Sequence, residues 1–427
     1  AIDAMGGDNA PAEIVKGAVE ASKSVKYNLA LVGKEELVNA ELSKYNYDKS
    51  KITVVNATEV IETCEVPTVA IKQKKDSSMV VGLNMVKKGE AQAFVSAGNT
   101  GALLTGATVI VGRIKGVERP ALGTLLPTEK GHTLLIDAGA NVDAKPSYFP
   151  QFALMGSIYY ENVMGVKEPK VGLVNIGVEE SKGNAVVKEA YGLLKETKDI
   201  NFIGNTEARD ISLGDADVVV CDAFVGNVIL KVMEGFGKSI LRIIKKEIMA
   251  TVMSKLGAVL ASGAFKRIKK YFDYDTVGGA PFLGLKGLVV KAHGSSDYRA
   301  VAGAIFQCEK FIDGDIVSKI AEKIKSIKNE KVTYVAIGDS LTQGVGDSSN
   351  QGGFVPVLSQ ALESDFDWQV TSRNYGIAGN TSNQILKRMQ EKKDIQRDLK
   401  KAKVMTLTVG GNDVIHVIKD NITNLNV

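Results

Sequence analysis

Cysteine is scarce in this chain: Cys64, Cys221 and Cys308 are its only three, odd in number and widely spaced. No C-x-x-C pair occurs, so neither a disulfide framework nor a thiolate zinc site is expected, and a reduced, intracellular setting suits the count. Long apolar runs are missing too, none reaching the ~18 residues that a spanning helix requires. A net charge of +4 over 427 residues is too weak to argue for a nucleic-acid partner. One tryptophan and nine prolines contrast with 43 glycines, a balance that suits many tight strand-to-helix turns. His132, His293 and His416 are the only histidines. With no carboxylate, His or Cys cluster at ligand spacing, no metal and no cofactor is expected. The chain opens without Met, in Ala1-Ile2-Asp3-Ala4, so a few preceding residues are expected, and no signal peptide is read.

What is present is alternation. Strand-like runs fall at residues 29–32, 52–55, 91–96, 133–137, 170–175, 201–203 and 217–221, with amphipathic stretches at 12–22, 79–87 and 184–195. This order predicts an α/β fold, a mainly parallel sheet in a three-layer αβα arrangement. Ligands of such sheets sit beyond the carboxyl ends of the strands. Cys221 closes the run Val218-Val219-Val220-Cys221 and reads as a buried structural thiol. From 225 to 271 Ile229, Val232, Met233, Phe236, Ile240, Ile243 and Ile244 recur at helical spacing. The apolar stretch 256–265 then meets Lys266-Arg267-Ile268-Lys269-Lys270-Tyr271-Phe272. A hairpin over 225–272 suits an anionic membrane surface or packing on a second subunit. Residues 297–327 predict a last helical stretch, and a new strand opens at Val332, which puts a domain boundary near Lys328.

Five polar, glycine-bearing segments follow strands in the first domain. They are Asp3-Ala4-Met5-Gly6-Gly7-Asp8-Asn9-Ala10-Pro11; Ser96-Ala97-Gly98-Asn99-Thr100-Gly101-Ala102; Asp137-Ala138-Gly139-Ala140-Asn141; Asn175 through Lys182, Gly183 and Asn184; and Asp222-Ala223-Phe224-Val225-Gly226-Asn227. Each alone would be an ordinary turn. Together they offer backbone N–H groups, Asn and Thr donors and the charge of Lys182, a set suited to phosphate held against an acyl carbonyl. Competing phosphate motifs fail. Around Gly235-Phe236-Gly237-Lys238-Ser239, Val232 stands where a P-loop needs its first glycine and Ile240 where G-x-G-x-x-G needs its last. His132 reads as surface or structural, and His293, after a strand at 287–290, stays open to a site role.

These segments, with Arg119-Pro120-Ala121, resemble in order the bacterial PlsX-type phosphate acyltransferases of phospholipid synthesis, over residues 1–328. The resemblance implies a Rossmann-like, phosphotransacetylase-related fold, a homodimer, and a cytoplasmic location with peripheral membrane contact. It also implies the reaction: a long-chain acyl group passes from acyl-carrier protein to inorganic phosphate. On that basis Lys182 and Asn227 are the expected catalytic residues. Asp3, Gly6, Gly7, Asp8, Asn9, Ser96, Gly98, Asn99, Thr100, Gly101, Asp137, Asn141, Asn175 and Gly183 are expected to bind phosphate or substrate. Two alternatives stand beside it: acyl transfer from a coenzyme A thioester, and a non-catalytic carrier-protein or membrane scaffold.

Residues 329–427 carry a second signature. Gly338-Asp339-Ser340-Leu341, Gly376-Ile377-Ala378-Gly379-Asn380-Thr381-Ser382 and Gly410-Gly411-Asn412-Asp413 resemble three blocks of the SGNH, or GDSL, hydrolases. The resemblance implies Ser340 as nucleophile with Gly379 and Asn412 as oxyanion donors on a flavodoxin-like α/β fragment. The family's D-x-x-H block is expected much farther along. Asp413-Val414-Ile415-His416 fits it literally but overlaps the third block and reads as a decoy. Without its base Ser340 is a weak nucleophile, so the fragment is expected to be incomplete, inactive as an esterase, and to expose apolar faces.

Overall fold

Strands buried on both faces organise the first part of the chain. Val218, Val219 and Val220 are all buried, and so are Ala93, Phe94, Val95 and Ser96, so these strands show no alternation and run through the sheet interior. The computed structural model describes residues 1–271, 278–328, 331–348, 352–366 and 368–415. The chain divides into two compact units, Ala1–Ala321 and Glu322–Val427.

The first unit holds strands β1 (Ile2–Asp3), β2 (Leu29–Gly33), β3 (Ile52–Asn56), β4 (Ala93–Ser96), β5 (Ala121–Thr128), β6 (Gly131–Ile136), β7 (Lys170–Asn175), β8 (Asn201–Glu207), β9 (Val218–Val220), β10 (Ala280–Leu283) and β11 (Leu288–Lys291). They form one sheet in the order β3-β2-β1-β4-β11-β10-β5-β6-β9-β7-β8. The sheet is mainly parallel, as the alternation predicts. Its middle is not: β11–β10, β10–β5 and β5–β6 pair antiparallel. Three reversals in a row turn the β6-β9-β7-β8 half opposite to the β3-β2-β1-β4-β11 half. The carboxyl ends of the two halves therefore leave opposite edges of the ladder.

Sequence patterning missed β5 and β10. Pro127 argues against a central strand, yet β5 tolerates it because β10 pairs only with Ala121 and Leu122. His132 lies within β6 opposite Pro127 rather than ahead of the strand, and its carbonyl accepts from Tyr160 Oη at 2.5 Å. The expected single helical stretch 297–327 is two helices, Tyr298–Asp313 and Ile316–Lys328, broken where Asp315 adopts φ 46°. The 225–272 region is three helices, Ala223–Ile248, Val252–Leu260 and Ser262–Tyr271. Phe272 and the side chains of Lys266, Ile268, Lys269, Lys270 and Tyr271 lie outside the described residues. Apolar surface is concentrated here: Phe224, Val232, Phe236, Val252, Met253, Val259 and Leu260 are all exposed, Leu260 by 89%. Among the described residues no helix is long and apolar enough to cross a membrane.

The second unit is a three-stranded parallel sheet, β12 (Lys331–Gly338), β13 (Gln369–Gly376) and β14 (Ala402–Thr408), in the order β13-β12-β14. Period-2 alternation on β12 supplies both cores. Tyr334 and Ala336 pack with Val355 and Leu362, while Val335 and Ile337 pack with Ile385 and Ile395. Met405 and Leu407 of β14 are exposed.

Helix packing on the large sheet is tight enough to exclude a methyl group. Helix Ser78–Lys88 begins where Ser77 Oγ accepts from Val80 N–H and ends at Gly89 with φ 75°. Its Gly82 faces Phe94, and a Cβ there would come within 2.0 Å of Phe94 Cε2. Alanine is worth about 1 kcal/mol over glycine in a helix interior, whereas overpacking a core costs about 1–3 kcal/mol. The fully buried ring makes the second effect larger. Gly82→Ala should therefore lower stability in urea denaturation, and Gly82→Ala/Phe94→Leu should recover part of the loss. Stabilisation by the single substitution would contradict this packing.

Candidate active site

At the carboxyl edge of β1 and β4 the loops are locked to one another. Asp3 is buried, and its carboxylate accepts from Ser96 Oγ at 2.7 Å and Met5 N–H at 3.2 Å. Burial pushes its carboxyl above the ordinary range, against the pull of Ser78, Ser96, Met5 and Gly6 donors. Ser96 Oγ in turn accepts from Gly98 N–H at 3.1 Å. A Cβ on Gly6 would lie 2.5 Å from Asp3 Oδ2 and 2.8 Å from Gly98 N. Gly7, at φ 103°, packs against Ala97 and Gly294, and Gly101 against Pro67. Asn9 Nδ2 donates to the Ser295 and Ser296 carbonyls, and Asp8 N–H to Gly294.

Asn99 is engaged at both ends of its amide. Its Oδ1 accepts from Ala102 N–H at 3.0 Å as the helix cap, and its Nδ2 donates to the carbonyls of Glu62, Thr63 and Glu65, which ties a loop to the helix start. The Gly98 N–H is likewise engaged, by Ser96 Oγ.

The other half of the sheet repeats the arrangement. Asp137 is buried and its carboxylate accepts five N–H bonds: backbone Leu122, Gly139, Ala140 and Asn141, and Asn141 Nδ2 at 2.6 Å. Burial raises its carboxyl and these donors pull it back. Asn141 also donates to Pro120 and its carbonyl accepts from Ala223 N–H. Asn175 Nδ2 donates to the Lys182 carbonyl at 3.1 Å, and Gly183, at φ 96°, leaves room that a Cβ would take from Asn175 Oδ1. Asp137, Asn141, Asn175 and Gly183 thus brace loops. Because β7 and β9 are parallel neighbours, Leu173 opposite Val220, the Lys182 loop and the Asn227 helix leave the same edge.

Four of the expected residues are exposed and make no side-chain hydrogen bond among the described residues: Asp8, Thr100, Lys182 and Asn227. One helix links the two halves. Helix Ala223–Ile248 starts at Asp222, whose carboxylate caps Val225 N–H at 2.9 Å, and Gly226 presses against the Asp137 carbonyl, 2.0 Å from where a Cβ would stand. The P-loop-like glycines lie inside it, as the failed motif implied. Asn227, Lys231, Glu234 and Lys238, spaced 4, 3 and 4, share one helix face. Lys231 pairs with Glu234 at 3.1 Å. The charges of that face are near enough to the loop after β11 to act on it. Desolvation depresses the His293 imidazole, Glu234 opposes this, and Lys231, Lys291 and Lys238 add to it.

Lys291 escaped the motif search. It ends an apolar strand and looks like an ordinary solvated terminus. Its Nζ instead donates to the carbonyls of Ala97, at 3.3 Å, and Ala292. Desolvation lowers its pKa to about 8. Among the described residues no group of three or more His, Cys, Asp or Glu could hold a metal ion.

In the second unit three loops converge on the carboxyl edge of the sheet. Asp339 accepts from Leu341 N–H and Thr408 Oγ1, which sets Ser340 at the start of a single helical turn. Gly379 adopts φ 82°, and Asn412 Nδ2 donates to the Asn380 carbonyl at 3.0 Å. Asp413 accepts from Ser382 N–H and Oγ, both at 2.9 Å. That contact fixes the loop of the second block. His416 lies outside the described residues.

The Asp137 carboxylate is the least replaceable group in the frame. Asp137→Ala would leave five N–H donors in a buried loop without their acceptor, each bond to a charged group contributing about 1.5–3 kcal/mol. Loss of at least about 3 kcal/mol in urea denaturation is expected, and an unchanged midpoint would contradict the assigned role. The family model described as fatty acid synthesis protein matches residues 1–319. A second, described as GDSL-like lipase/acylhydrolase, matches residues 336–426. A phosphate acyltransferase of Clostridium perfringens is 52% identical over 334 residues, covering 78% of this chain and 98% of that protein. One from Clostridium kluyveri is 51% identical over 331 residues, covering 78% and 99%. A phosphotransacetylase structure from Streptococcus pyogenes aligns with 72% of this chain and 91% of its own, at 16% identity and TM-score 0.49. Through residues 1–319 the chain belongs to the fatty acid synthesis protein family, and within it to the phosphate acyltransferases.

Proposed function

We propose that residues 1–328 transfer a long-chain acyl group from acyl-carrier protein to inorganic phosphate, giving an acyl-phosphate for phospholipid synthesis. The observation that carries this is the pairing of 52% identity over nearly the whole length of a phosphate acyltransferase with Lys182 and Asn227, both exposed, on a loop and a helix start that are braced from beneath. Phosphate is already an oxyanion and needs orientation more than deprotonation. It attacks the thioester carbonyl directly. The tetrahedral oxyanion then collapses and expels the carrier thiolate, with no acyl-enzyme. Lys182 offsets the phosphate charge and Asn227 donates to the carbonyl oxygen as its charge develops. Thr100 offers a hydroxyl to a phosphate oxygen. Asp3, Ser96, Asp137, Asn141 and Asn175 hold the loops that carry these groups.

The same proposal takes the apolar surface of helices Ala223–Ile248 and Val252–Leu260 as the face for a second subunit and for peripheral membrane contact. The acceptor of the acyl group is phosphate whether the donor is carrier protein or coenzyme A, so a donor comparison separates the first alternative. The second unit is proposed to be inactive as an esterase, because Asp413 is engaged by Ser382 and the described residues of this unit include no histidine to activate Ser340.

Two outcomes are expected. Lys182→Ala and Asn227→Ala should each lower the rate of acyl-phosphate formation about 10²–10³-fold, measured by hydroxamate trapping, with thermal unfolding unchanged. Near-wild-type rates in both would remove the assignment. Hydrolysis of p-nitrophenyl acetate should be slow and identical in wild type and Ser340→Ala. Fast hydrolysis that vanishes with Ser340 would show a working hydrolase.

A further inference from the structure

We infer that Lys291 binds the phosphate nucleophile, its ammonium gripping a phosphate oxygen at the carboxyl edge of the sheet opposite the Asn227 helix. The inference rests on the reading of phosphate as substrate. Lys291 is the last residue of β11 and stands in register with Ser96 of β4, at the edge where ligands of parallel sheets collect. Its Nζ lies across the two loops that follow these strands, on the carbonyls of Ala97 and Ala292, instead of extending into solvent. An ammonium has three donors and these carbonyls take two. The third remains for an anion.

The electrostatic surroundings point the same way. Asp3 and Asp8, from the loop after β1, favour the charged form; Lys231, from the facing helix, opposes it; His293 follows on Lys291's own loop. Neither carboxylate forms an ion pair with Lys291 among the described residues. A desolvated ammonium with neutral acceptors and a like charge opposite is costly unless a ligand anion completes it. Stapling two loops would not by itself require a charge. Asn227 lies one turn from Lys231 on the same helix face, and Lys231 is near enough to Lys291 for their charges to repel.

The sign of the pH effect follows from burial. With its pKa lowered to about 8, Lys291 is cationic below that pH and neutral above it. kcat/KM for phosphate should therefore fall as pH rises through about 8 in the free enzyme.

The test uses the intact chain with inorganic phosphate as probe. Phosphate binding is measured by calorimetry, and acyl-phosphate formation is followed from pH 6 to 10, for wild type, Lys291→Gln and Lys291→Arg. Lys291→Gln should weaken phosphate binding and raise its KM about tenfold or more, with the KM for the acyl donor unchanged. Lys291→Arg, whose charge persists, should move the alkaline loss to higher pH. Wild-type phosphate affinity and pH profile in a folded Lys291→Gln, while acyl-phosphate still forms, would overturn the inference and leave the proposed function standing. Lysine-dependent phosphate binding without any acyl transfer in the wild type would do the reverse. If Lys291→Gln does not fold, the pH profile of Lys291→Arg decides: an unmoved alkaline limb overturns the inference.

Discussion

The position of Asn227 depends on one buried carboxylate. Asp137 gathers five N–H donors and so fixes residues 137–141 against the start of β5. The Asn141 carbonyl then receives Ala223 N–H, and Gly226 closes on the Asp137 carbonyl with no space for a side chain. Helix Ala223–Ile248 is thereby aimed from its first turn, and Asn227 is carried on the second. A carboxylate that ties backbone donors at several points costs desolvation but leaves the loop few alternative conformations. Asp3 does the same for the loops after β1 and β4.

A division of labour follows. Polar residues that a ligand could use and polar residues that a loop needs are the same chemical types. Here the buried ones hold loops, while Asp8, Thr100, Lys182 and Asn227 are exposed, and the last three are the groups that the proposed chemistry uses. The reversal of the sheet between its halves makes the helix necessary. Groups at opposite edges of a ladder can act together only if an element crosses between them, and the charges of Lys231, Glu234 and Lys238, on the face that bears Asn227, act on His293 in the loop after β11.

Much of this was legible in residue order, for physical reasons. Runs such as Val218-Val219-Val220 announce strands buried on both faces, and the glycine-bearing segments mark strand ends. The reversal was not legible. It is made by pairings between residues far apart in sequence, such as Leu283 with Ala121, and β5 is disguised by Gly123 and Pro127. Asn and Gly at a helix start suit anion binding by type, and the sequence does not reveal that the Asn99 amide and the Gly98 N–H also tie the loop. Lys291 carries no such signal, since a lysine at a strand end usually points to water. In the second unit the three blocks meet at one sheet edge, where Asp413 holds Ser382.

The most direct measurement is incorporation of radiolabelled inorganic phosphate into a lipid-soluble product by the purified chain, with long-chain acyl-carrier protein as the sole acyl donor. The account predicts labelled acyl-phosphate formed in equal amount to the carrier protein released, and no release when phosphate is omitted. Carrier-protein release that proceeds without phosphate, or binding of the acylated carrier with no label transferred, would contradict it.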